Sequence, residues 1–69
     1  MGFAKDVERA IEHAGFRIER VSGGHSIYRN TDGRQLVVPN LRRAGVKRDL
    51  EGRRRVALVS ELRRQGVTL

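Results

Sequence analysis

Between residues 3 and 14 the apolar positions are Phe3, Val7, Ala10, Ile11 and Ala14. This spacing places them on one face of a helix, and Lys5, Asp6, Glu8, Arg9, Glu12 and His13 cover the rest. Gly15 follows directly, where a helix commonly ends on a left-handed residue. The period then shortens. Residues 16–21 (Phe-Arg-Ile-Glu-Arg-Val) alternate as a strand does, and Ser22-Gly23-Gly24 makes a tight turn into His25-Ser26-Ile27-Tyr28-Arg29. Ile and Tyr favour a second strand there. A bulge at the glycines would reset the alternation of one strand against the next.

Asn30-Thr31-Asp32-Gly33 is a second turn, its Asp-Gly supplying the positive φ of a tight hairpin. Gln35 to Val38 reads as a third strand, stopped by Pro39, which has no N–H for the ladder. Residues 40–49 are basic and lack a period, which predicts a loop. A closing helix is predicted over 50–65, with Val56, Leu58, Val59 and Leu62 facing inward and Arg53, Arg54 and Arg64 facing water. Gly66 ends it, leaving Val67-Thr68-Leu69 as a short tail. The predicted order is α-β-β-β-α. Short turns make the strands an antiparallel meander, and both helices need one face of that sheet to pack on. The fold class is therefore α+β, in a single domain over residues 1–69.

With only Phe3, Phe16 and Tyr28 as aromatics, the expected core is aliphatic. It comprises Val7, Ile11, Ile18, Val21, Ile27, Leu36, Val37, Val38, Val56, Leu58, Val59 and Leu62. A chain this short buries only about 60% of its unfolded surface, so its stability is marginal or shared with a partner.

Charge narrows the partners. The net charge is +7, and a field of that sign attracts polyanions: nucleic acid, an anionic membrane or an acidic protein. Arginine supplies most of it, and its planar fork suits phosphate oxygens. Cysteine is absent, which excludes disulfide and thiolate chemistry. No apolar run is long enough to span a membrane, and no signal-peptide core stands at the start. The expectation is a cytoplasmic protein without cofactor. Two histidines, with no His-x-x-His and no acidic cluster at ligand spacing, predict no metal site.

Candidate chemistry gathers at the first turn. His25 has a side chain whose unperturbed pKa lies near neutrality. Arg17 and Arg20 precede it, and Arg29 and Arg34 follow. A base that takes the 2′-hydroxyl proton of RNA, with Arg29 and Arg34 or the turn amides neutralising charge on phosphorus and Tyr28 or Ser26 orienting the substrate, can cut the chain without metal. On these residues alone a lone histidine at a strand end is more often structural or merely exposed. His13, on the polar side of the first helix, reads as a solvated residue.

Taken together, Ala14-Gly15-Phe16, Ser22-Gly23-Gly24-His25-Ser26-Ile27-Tyr28-Arg29, Asp32-Gly33-Arg34 and Leu36-Val37-Val38-Pro39 resemble the HicA toxin family in order and spacing. Leu62-Arg63-Arg64-Gln65-Gly66-Val67 is similar to that family's closing helix and terminal Gly-apolar pair. Gly24 stands where the family usually has Ser, and residues 40–51 lack its usual Pro-Gly-Thr. The resemblance implies a double-stranded-RNA-binding-domain-like fold and an mRNA interferase, a metal-independent endoribonuclease silenced by a HicB-like antitoxin. It implies His25 as the catalytic residue. The expected RNA-binding residues are Arg20, Ser22, Gly23, Gly24, Ser26, Tyr28, Arg29 and Arg34. The competing expectation is a non-catalytic basic nucleic-acid-binding module of the same fold.

Overall fold

A computed structural model describes residues 2–42 and 53–69 of the chain. Its elements are α1 (Phe3–His13), β1 (Arg17–Ser22), β2 (His25–Arg29), β3 (Gln35–Pro39) and α2 (Arg53–Arg64). The fold is α+β, with the α-β-β-β-α order that the periodicity predicts. The loop expected over 40–49 and the first turn of the helix expected from residue 50 fall largely outside the described residues.

Both helices stop in the same way. After α1, Gly15 takes a φ of 95°; its N–H donates to the Glu12 carbonyl at 3.0 Å and the Phe16 N–H to that of Ile11 at 3.3 Å. After α2, Gly66 takes a φ of 91°. Its N–H reaches the Arg63 carbonyl at 3.1 Å and the Val67 N–H that of Leu62 at 2.9 Å. These are Schellman motifs, whose paired 6→1 and 5→2 bonds satisfy the last carbonyls. The motif also folds the next apolar residue back onto the helix, so Phe16 meets Ile11 and Val67 meets Leu62 in the core. Val67, expected in a tail, is thereby buried.

The strands form one antiparallel sheet in the order β1-β2-β3. On β2 and β3, Tyr28 pairs with Leu36 and Ser26 with Val38. This face meets Val7 and Ile11 of α1 and Leu62 of α2 in the core cluster. Both helices thus cover one face, as expected. The register of β1 shifts between Ile18 and Arg20. Glu19 is the extra residue of a bulge, placed within β1 instead of at the glycines. Ile18 opposite Tyr28 and Val21 opposite Ser26 then share the helix side, although three residues apart.

Four expected core residues lie outside. Ile18 and Val21 keep 52% and 57% exposure, because β1 is an edge strand whose helix-side face the helices leave uncovered. Val37 points to the face of the sheet turned away from α1 and α2 and is 51% exposed, although Ile27 opposite it is buried. Val56 stands two positions from Leu58, about 200° round the helix, and is 65% exposed. Phe16, Tyr28, Leu41 and Val67 complete the core in their place. Arg55 stacks its guanidinium 4.1 Å from the centre of the Phe3 ring, a cation–π contact between the helices.

Candidate active site

Ser22 pairs with His25, leaving Gly23 and Gly24 as a two-residue hairpin turn. Gly23 has a φ of 59°, and glycine at the first central position is what a primed hairpin turn of this length demands. The turn is also held from outside. The Asn40 N–H donates to the Gly24 carbonyl at 2.7 Å, while the Asn40 Oδ1 accepts from the Arg42 N–H at 3.1 Å. Leu41, between them, is buried. The chain leaving β3 is thus pinned into the core and tied to the residue before His25.

Alternation along β2 divides the expected site residues. His25, Ile27 and Arg29 point to the face turned away from α1 and α2, where Ile27 is buried and His25 and Arg29 are exposed, and Ser26 and Tyr28 point to the helix side. His25 is exposed, directly opposite Ser22 and beside Pro39. Arg20, which pairs with Ile27, lies diagonal to His25 on the same face, a separation of about 7–8 Å between such positions. His25, Ser22, Gly23, Gly24 and Arg20 therefore form one group at one end of the sheet.

Arg29 and Arg34 do not join that group. Arg29 is four residues along β2 from His25, roughly 13 Å at the usual rise of a strand. Its Nε donates to Glu19 Oε2 at 2.5 Å, and its other donors reach the Gly33 carbonyl and Gln35 Oε1. Arg34 bonds to Gln65 just past α2. Tyr28 is buried, and its phenol pKa is raised, first by burial and then by Glu8 and Glu12, with Arg42 opposing.

Glu19 is the residue that sequence patterning does not single out. It takes Arg29 and, at 3.0 Å, Arg20 Nη1, and the hydrogen bond from Arg29 holds its carboxyl below the ordinary carboxylate value. Nothing local in Arg-Ile-Glu-Arg signals this role, because the bulge alone turns Glu19 and Arg20 to one side. Asn40 is equally silent in sequence, as its contact runs to a residue 16 positions earlier. Among the described residues no three His, Cys, Asp or Glu side chains gather as a ligand set, and no helix is long and apolar enough to cross a membrane.

Residues 4–51 match a family model described as the HicA toxin of bacterial toxin-antitoxin systems. The match takes in α1, all three strands and the His25 turn. No curated protein and no solved structure matches the chain.

Proposed function

Because the chain belongs to the HicA toxin family of bacterial toxin–antitoxin systems, we propose that it acts as a metal-independent endoribonuclease on mRNA, with His25 as its general base. The supporting observation is the exposed imidazole at the Gly23-Gly24 turn, on the sheet face turned away from α1 and α2 and diagonal to Arg20. His25 takes the proton of a ribose 2′-hydroxyl. The 2′-oxygen attacks phosphorus, the bond to the 5′-oxygen breaks, and the leaving oxygen takes a proton from water. The products are a 2′,3′-cyclic phosphate and a 5′-hydroxyl. Positioned proton transfer of this kind contributes about 10²–10⁴-fold.

Arg20 is the cation placed to meet the phosphorane oxygens, on leaving Glu19, and the turn amides of Gly23 and Gly24 are donors beside it. Ser22 orients the ribose. Arg29 and Arg34, at the other end of the sheet, serve a neighbouring stretch of backbone. Such phosphate contacts position RNA without reading its bases. Ser26 and Tyr28, on the helix side, take no part in this reading.

His25→Ala is expected to abolish cutting of single-stranded RNA while leaving gel retardation in place; retained cutting would refute the assignment. Toxin–antitoxin membership implies an antitoxin partner, and a HicB-like chain that covers His25 is the proposed route to silencing. A second reading is a non-catalytic binding module. Its support is Glu19, which occupies two of the expected phosphate-binding arginines. Salt-sensitive retardation by the unaltered protein without any cleavage would select it.

A further inference from the structure

β1 is bare on two sides. It is an edge strand, so its outer N–H and C=O groups offer a template for another strand, and all six residues are exposed. On its helix side Ile18 and Val21 line a groove with Tyr28, rimmed by Glu8, Glu12 and Arg42. Arg42 is taken by Glu8, with Nη2 2.6 Å from Oε1. The exposed Glu12 carboxylate has no ion pair among the described residues.

We infer that this edge and groove dock an extended segment of the antitoxin protein, apolar at alternate positions and carrying a lysine or arginine opposite Glu12. Strand addition supplies main-chain hydrogen bonds, and the groove supplies side-chain specificity. The two faces of the sheet differ in what they attract. With Glu8 paired to Arg42, the Glu12 carboxylate is, among the described residues, the uncompensated charge on the groove rim, so this site favours an apolar peptide with one cation over the phosphates of RNA. The Glu19 bulge interrupts the edge, which disfavours pairing with a second copy and confines regular pairing to the half of β1 near Ser22. A segment docked there ends beside His25, since Ser22 and His25 are paired. Docking stands apart from the nuclease reading; only its effect on cutting rests on that reading.

The test uses the full chain in a His25→Ala background, so that binding is measured without cleavage. Calorimetric affinity for the antitoxin is compared for the unaltered surface, the Ile18→Glu/Val21→Glu double variant and Glu12→Arg. The double variant is expected to bind more than about tenfold more weakly, as loss of a central apolar contact does. Glu12→Arg is expected to weaken binding about threefold or more through like-charge contact. Melting temperature stays unchanged in Glu12→Arg. Unchanged antitoxin affinity in folded variants overturns the inference. So does light scattering that shows the chain alone as a dimer dispersed by the double variant, which would make the groove a self-association surface. Failure of the nuclease reading would show separately, as a chain with His25 intact that cuts no RNA.

Discussion

The main-chain N–H of Asn40 donates to the carbonyl of Gly24 at 2.7 Å, so the segment leaving β3 braces the turn in front of His25. The Asn40 side chain keeps that segment in shape by accepting from the Arg42 N–H, an Asx turn of the kind Asp also makes. Asn40→Ala is expected to lower stability by about 0.5–1.5 kcal/mol and to reduce RNA cutting more than RNA retardation. Asn40→Asp should restore both. Denaturant melts alongside cleavage assays check this; equal cutting by the Ala variant would show that the turn holds itself.

Glu19 holds both Arg20 and Arg29 in ion pairs, and under the proposed function it competes with RNA for them. Glu19→Gln keeps the shape and removes the charge, freeing both guanidinium groups for phosphate. Retardation of single-stranded RNA at low salt should tighten by about threefold or more, and the loss of affinity with added salt should steepen. Filter binding across a salt series reads both quantities. An unchanged salt slope would mean that these arginines do not meet the backbone.

Leu62 and Val56 were both expected inside α2, yet only Leu62 is buried. It joins α1, the sheet and Val67 in one cluster. Leu62→Ala should therefore cost about 2–5 kcal/mol, a large share of the stability of so small a domain. Val56→Ala should shift it by less than about 0.5 kcal/mol. Urea unfolding of the pair decides the matter, and similar losses for the two would contradict the placement of the helix.

Tyr28 is the sole tyrosine, so its ionisation can be followed by absorbance without overlap. Burial, then Glu8 and Glu12, raise its pKa in the fold, which favours the neutral phenol. The stability tied to that neutral form is intact below the ordinary phenol value. It is lost as pH rises through the higher native value, because the unfolded chain gives up the proton first. The native protein should titrate at higher pH than the urea-unfolded chain, with stability falling in that alkaline window. Coincident titration curves would show the ring to be open to water.

Much of this was legible along the chain. The 3.6-residue spacing of Phe3, Val7, Ala10, Ile11 and Ala14 marks α1, and Gly15 and Gly66 mark both helix ends. Asp-Gly and Gly-Gly mark the hairpins, because these features act over a few bonds. The position of His25 at the start of β2 follows from the same local signals.

Other features depended on which strands and helices meet. A single bulge at Glu19 moves Ile18 and Val21 to one side of β1, a choice that alternation in sequence cannot express. The helices then leave that edge uncovered, so apolar identity does not predict burial at Ile18, Val21, Val37 or Val56. Sequence placed Arg20, Ser26, Tyr28 and Arg29 around one histidine. Tertiary structure kept Arg20 diagonal to it and separated Ser26 and Tyr28 by face and Arg29 by distance along the strand, because a side chain's partners are set by pleat and register, which only the paired sheet defines.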